Sequence, residues 1–249
     1  MSRISVCLLA IALVSLSHNA FAQPGTLKPV KVKEHWGYAD EKGRLIIAPR
    51  FDEVRGFTGA LARVGIYNPT PDPYTREPIL NWGLIDRRGT FVVSPKYASI
   101  GDFSEGLAAV SFIDPKQKQE IAFGGRGLYR AALWGFIDTT GGVAIPILFA
   151  EAGNFSEGLA SVRIISSDRS MCSERGAVGY IDRSGTVVIK PAFVAGSAFN
   201  DGHAKVSIGE WEFMGRCLCC NPVFRGQTGT IDRSGNLVLD NSSGPNSGP

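Results

Sequence analysis

The sequence predicts an all-β chain of about five copies of one three-stranded unit. Three observations carry this expectation. Four segments of the chain align with one another without a gap, short apolar runs are punctuated by Asp-x-x-Gly, and 30 of the 249 residues are glycine while 44% are hydrophobic. That glycine share is well above the usual ~7%. In a chain apolar enough to bury a core, it signals many turns and therefore many short strands. The glycines follow no three-residue period, which excludes a collagen-like helix. A net charge of only +3 argues against a nucleic-acid binder working by counterion release.

The copies are WGYADEKGRLIIAPRFDEVRGFTGALARVGI from Trp36, WGLIDRRGTFVVSPKYASIGDFSEGLAAVSF from Trp82, WGFIDTTGGVAIPILFAEAGNFSEGLASVRI from Trp134 and VGYIDRSGTVVIKPAFVAGSAFNDGHAKVSI from Val178. A truncated fifth, TGTIDRSGNLVLD, runs from Thr228 to Asp240. In each, a short run beginning Trp-Gly or its equivalent (strand A) enters Asp-x-x-Gly. An apolar run follows (strand B), such as Phe91–Val93 or Val187–Ile189. Two such runs joined by a short turn read as a hairpin. Aspartate first and glycine three residues later suit a type I turn closed by a left-handed glycine. A third run (strand C) closes each unit at Leu61–Val64, Leu107–Val110, Leu159–Val162 and His203–Val206, with the alternation of a half-buried strand. Phe51, Tyr97, Phe149 and Phe193 recur at one offset, and Phe57, Phe103, Phe155 and Phe199 at another. Side chains repeated once per unit are expected in the shared core rather than on a ligand platform.

These features together resemble the WG-repeat family of mainly bacterial proteins. The resemblance rests on the Trp-Gly pairs, the I-D-x-x-G turns, the proline near the end of strand B and the F-S-E-G-L-A segments, and covers nearly all of residues 36–240. It departs at Val178 and Thr228, which replace tryptophan, and at Phe199-Asn200-Asp201-Gly202-His203, which replaces Phe-Ser-Glu-Gly-Leu. The resemblance implies a β-rich extracytoplasmic repeat protein and says little about activity.

Five A–B hairpins but only four following C strands are present, and Lys28–Lys33 lies just ahead of Trp36 where a C strand belongs. If that strand joins the last hairpin, five units close a propeller-like ring, which the count favours over an open β-solenoid with polar end caps.

Arg3, the uncharged run Ile4–Leu16 and Ala20-Phe21-Ala22 predict a secretory signal peptide over residues 1–22, cleaved after Ala22. The run is too short to span a bilayer core of ~30 Å. The repeat domain is expected over residues 23–240 and a low-complexity, disordered tail over 241–249 (NSSGPNSGP). Export to the periplasm or beyond permits disulfides.

The recurring Asp40, Asp86, Asp138, Asp182 and Asp232 bring no companion acid at calcium-loop spacing, so each is read as accepting amide hydrogens of its own turn. Glu105 and Glu157 are read as solvated. Four insertions break the repetition, at 67–81, 113–133, 165–177 and 209–227, each between strand C and the next strand A. Equivalent units place all four on one face, where a repeat scaffold carries its binding residues. The candidates are Tyr67 and Tyr74 of the first insertion, and Lys116, Lys118, Phe123, Arg126, Tyr129 and Arg130 of the second. Basic residues beside aromatics suit an anionic glycan or an acidic partner.

Cys172, Cys217, Cys219 and Cys220 fall in the last two insertions and are expected to form two disulfides, with at least one link from the cluster to Cys172. No metal site and no cofactor are predicted. His35 and His203 are read as structural, and no nucleophile elbow, zinc helix or phosphate loop is present. The expected function is therefore a non-catalytic extracytoplasmic scaffold that binds a protein or an envelope polysaccharide, with neither nucleic acid nor a membrane span in the exported chain. Two alternatives stand beside it. One is a glycan hydrolase using a pair among Asp72, Glu77, Asp168, Glu174, Glu210 and Glu212. The other is a metal or redox module built on the cysteines.

Overall fold

A computed structural model describes residues 25–72, 76–113, 121–122, 128–129, 132–164, 177–213 and 222–240. Every strand pairing is antiparallel. The first sheet holds β1 (Lys28–Val32), β2 (His35–Ala39) and β3 (Leu45–Phe51). The second holds β4 (Glu53–Thr58), β5 (Leu61–Tyr67), β6 (Leu80–Ile85) and β7 (Phe91–Tyr97) in that spatial order. The third takes β8 (Ser99–Ile100) and β9 (Leu107–Phe112), and after a separate small hairpin of β10 (Ile121–Ala122) and β11 (Leu128–Tyr129) it continues with β12 (Leu133–Asp138) and β13 (Val143–Phe149). The fourth is β14 (Glu151–Ala152), β15 (Leu159–Ile164), β16 (Ala177–Asp182) and β17 (Val187–Phe193). The fifth is β18 (Ala195–Gly196), β19 (His203–Phe213), β20 (Pro222–Asp232) and β21 (Leu237–Leu239).

The sequence repeat and the sheet are therefore out of phase. Strand C of one copy pairs with strand A of the next, and a short strand ahead of C supplies a fourth member. The expected three-stranded unit is corrected accordingly: each full sheet is assembled from two copies. The closing pair is corrected too. Lys28–Val32 pairs with His35–Ala39 of its own sheet and not with the last hairpin, whose β20 pairs with β19 and β21.

Crossing from one sheet to the next lets a single copy enclose a core layer. In the second copy, Leu84, Val93 and Tyr97 come from the second sheet, and Ile100, Ala108 and Val110 from the third. Ile137 of the following copy completes that layer. The same assembly recurs in the three other clusters, between the first and second, third and fourth, and fourth and fifth sheets. Alternation along strand A feeds both neighbours. Leu84, Phe136 and Tyr180 point forward, whereas the adjacent Ile85, Ile137 and Ile181 point back. The recurring aromatics are core, with Phe51, Tyr97, Phe149, Phe155, Phe193 and Phe199 all buried. Tyr180 shows the cost of a buried phenol being met: its hydroxyl donates to the carbonyl of Ser197 (2.9 Å), and burial pushes its pKa up to about 12.

The end sheets depart from this pattern. The forward face of the fifth carries His203, Lys205, Thr228 and Thr230 at the positions of Leu159, Ser161, Val178 and Tyr180 in the fourth. Its Leu239 is 41% exposed, whereas the equivalent Ile47, Val93, Ile145 and Ile189 are at most 6% exposed. The outward face of the first sheet holds Lys28, Val30 and Val32 beside Ala39, which stands where later copies have isoleucine.

Two local devices hold the layers in register. Strand B bulges where it passes strand A, laying a carbonyl over the glycine that begins each copy. A Cβ on Gly83, Gly135, Gly179 or Gly229 would come within 2.5–2.7 Å of the carbonyl oxygen of Val93, Ile145, Ile189 or Val238. The Trp-Gly glycine is thus set by space, not by backbone freedom. We expect Gly135→Ala to cost about 1–3 kcal/mol of unfolding free energy through overpacking, measured by urea denaturation; an unchanged midpoint would refute this reading.

The second device is a staple between turns. Glu105, Glu157 and Asp201 adopt the left-handed conformation (φ 52–54°) ahead of a left-handed glycine, giving tight hairpin turns. Glu105 is exposed, as the sequence suggests, and Glu157 is half-buried, but each carboxylate also reaches the next sheet. Both oxygens of the Glu105 carboxylate accept from the Gly158 amide at 3.1 Å, and the Glu157 carboxylate accepts from the Gly202 amide at 2.9 Å. Beside them, the Ser104 and Ser156 hydroxyls donate to the carbonyls of Phe155 and Phe199. In the last of these turns the Asp201 carboxylate accepts only from the side chain of its neighbour Asn200 among the bonds described, and its backbone carbonyl lies 2.8 Å from His203 Nδ1. Glu157→Ala should therefore lose about 1 kcal/mol more than Asp201→Ala, since both share the turn strain and only the first breaks a staple. Equal losses in a denaturant titration would remove the staple.

Candidate binding edge

The topology gives the stack two unlike ends. Strand C and the next strand A are adjacent in one sheet, so each of the four insertions is the tip of a hairpin: β5–β6, β9–β12, β15–β16 and β19–β20. All four leave the sheets at the same end. The Asp-x-x-Gly turns and the staple turns occupy the other.

At the turn end, all five aspartates behave alike. Oδ1 of Asp40, Asp86, Asp138, Asp182 and Asp232 accepts the amides two and four residues on, at 2.8–3.0 Å. The closing glycines are left-handed, with φ between 77° and 86°. These acids are turn formers, as the sequence suggests. Their hydrogen bonds hold four carboxyls below the ordinary value of 3.8, led by the Arg44 amide at Asp40, the Thr140 hydroxyl at Asp138, the Ser184 hydroxyl at Asp182 and the Asn236 side-chain amide at Asp232. A pKa depressed in the folded state stabilises the fold above the unfolded value and loses that contribution as pH falls through the folded one. The Tm should accordingly drop below about pH 4, and an Asp138→Asn, Asp182→Asn double variant should show a shallower acid dependence. An identical acid slope in the variant would assign the effect to other groups.

At the insertion end, Tyr67 closes β5 and is exposed. Its amide donates to Asp52 Oδ2 at 2.8 Å, and Asp52 Oδ1 lies 3.5 Å from His35 Nδ1. Sequence reasoning set His35 aside as structural and missed Asp52, although it stands where the other copies have Ala98, Ala150 and Val194. Beyond Tyr67 the Asn68 amide donates to the Ile79 carbonyl (2.7 Å) and the Asp72 amide to the Glu77 carbonyl (2.9 Å). The rim is mixed in charge. Lys31 and Arg55 lie over the rings of Trp36 and Trp82, and Arg163 pairs with Glu151 at 2.8 Å. The last insertion, read as a loop, begins and ends as strand: β19 and β20 stay paired from His203–Asp232 out to Phe213–Pro222. Tyr129 likewise lies in β11, opposite Ile121.

Tyr74, Lys116, Lys118, Phe123, Arg126 and Arg130, together with Cys172, Cys217, Cys219 and Cys220, lie outside the described residues. So do Asp168 and Glu174 of the hydrolase alternative. Among the described residues, no group of three or more histidine, cysteine or acidic side chains is placed to hold a metal. A shallow open groove between the second and third sheets is crossed by Arg63, which donates to Asp102 at 2.7 Å and to the Ile100 carbonyl at 2.9 Å.

A family model described as "WG containing repeat" matches residues 36–68, 82–116, 134–164 and 179–210, just over half of the chain. The chain belongs to the WG-containing repeat family. No curated protein matches it. The fifth copy, from Thr228 to Asp240, falls outside the matched residues. In this WG-repeat protein, the family's defining residues thus map onto the core layers and inter-sheet turns, while the insertions lie mostly between or at the ends of the matched segments.

Proposed function

We propose that this WG-repeat protein is a non-catalytic scaffold acting outside the cytoplasm, binding a protein or an envelope polysaccharide through the edge where its insertions emerge. One observation carries the reading: four insertions of unrelated sequence leave four successive sheets at the same end, so they form one composite surface on a repetitive frame. The leader-like residues 1–22 support export, and the four later cysteines support disulfides within the last two insertions. Among the described residues no helix is long and apolar enough to cross a membrane.

In this reading the array is open instead of a closed ring. The polar substitutions on the fifth sheet, and the pairing of β1 within the first, support that choice. The test is capture from an envelope extract, comparing the exported chain with variants shortened at 67–81 and at 113–133. Loss of a specific protein or glycan with either shortening is the expected result. Equal capture by all three proteins would overturn the assignment of binding to this edge.

A further inference from the structure

A third surface remains beside the two ends. In spatial order, strand B is the outer strand of every sheet, so β3, β7, β13, β17 and β21 form five parallel rails along one side. With sheets stacked about 10 Å apart, that side is roughly 40 Å long. Ten of the twelve exposed large hydrophobic residues among those described lie on these strands. They recur in register, as Leu45, Phe91, Val143, Val187 and Leu237 show. Leu148 and Val238 are the most open, at 69% and 70%.

The charged residues on the five strands are Arg50, Lys96 and Lys190, all exposed, and no acid occurs on any of them. An apolar strip of this extent on a water-soluble surface marks an interaction site. The rails are poorly shaped for a added β-strand, because β3, β7, β13 and β17 each carry a bulge and a proline (Pro49, Pro95, Pro146, Pro191). The residues after β21, Asn241–Pro249, offer no aliphatic or aromatic side chain other than proline to cover it.

We infer that this side docks onto an anionic lipid bilayer surface. Two features select that occupant: cations without acids complement anionic headgroups, and the same apolar pattern repeated five times suits a laterally uniform surface more than a partner with unique pockets. The chain lies on the surface, with the exposed leucines and valines in the headgroup boundary and Arg50, Lys96 and Lys190 beside the phosphates. The insertion edge, at the strand ends, stays available to its own ligand.

The experiment uses the chain from Gln23 onward, which keeps every described residue and omits the apolar Ile4–Leu16. It is sedimented with vesicles of phosphatidylglycerol and phosphatidylcholine, and with phosphatidylcholine alone. The expected result is binding to the anionic vesicles that weakens with salt. Lys96→Glu with Lys190→Glu should lower the binding constant at least about ten-fold, as should Leu148→Glu with Val188→Glu, the Tm of each variant verifying its fold. Shortening residues 67–81 should leave vesicle binding unchanged, and the lipid-defective variants should keep the captured envelope ligand, which separates this inference from the proposed scaffold role. No binding to anionic vesicles, or equal binding by the lysine variant, overturns it. A lipid-independent dimer dispersed by Leu148→Glu with Val188→Glu overturns it as well, because a second copy would then cover the rails.

Discussion

Each core layer is enclosed by one sequence repeat that starts in one sheet and finishes in the next, and the rest of the structure follows from that crossing. A sheet buried on both faces needs apolar residues at consecutive positions, and Leu84-Ile85, Phe136-Ile137 and Tyr180-Ile181 supply them in strand A. A copy supplies most of its own layer and the following copy closes it, as Ile137 completes the layer that holds Tyr97. Tyr97 has its strand-A wall in the second sheet, but Ile100, Ala108 and Val110 reach it only when the third sheet is in place. Stability is accordingly a matter of neighbouring copies, as in repeat proteins whose units contact only their neighbours.

The ends show the same constraint from the opposite direction. The fifth copy contributes no strand C, so nothing among the described residues encloses a layer beyond it, and Leu239 stays exposed where its equivalents are buried. The departures His203 and Thr228, which look like decay of the repeat in a linear alignment, fall together on the forward face of the fifth sheet, which no further sheet covers among the described residues. The staple turns tell a similar story: glutamate is kept at Glu105 and Glu157, where a next turn is within reach, although asparagine or aspartate suits a left-handed turn position better.

This arrangement separates roles by geometry. Strand ends bearing turns are tied to one another by carboxylates and hydroxyls, and strand ends bearing insertions are free to vary in sequence. The lateral rails carry apolar and cationic residues that neither the core nor the turns require. A frame of this kind lets one side change without loss of the layers, because insertions between strands C and A leave the register of the flanking strands intact.

The sequence by itself determined the number of copies, the hairpin turns, the core role of the recurring aromatics and the common origin of the four insertions, because each of these follows from local periodicity and turn chemistry. Residue spacing also fixed the aspartates as turn acceptors, since their partners lie two and four residues away. Only the tertiary structure decided which strands share a sheet. Pairing strand C with the following strand A is a long-range choice, and the local pattern is equally compatible with a unit that closes on itself. For the same reason the inter-sheet bonds of Glu105 and Glu157, and the bond from Tyr67 to Asp52, are not legible in the sequence. Their partners lie 53, 45 and 15 residues away respectively, at distances along the chain that no local pattern reports, whereas Lys28–Val32 pairs in a local hairpin with Val32 opposite His35. The exposed rails were hidden by the same limit: an apolar strand B looks like core until the order of strands within the sheet places it at the edge.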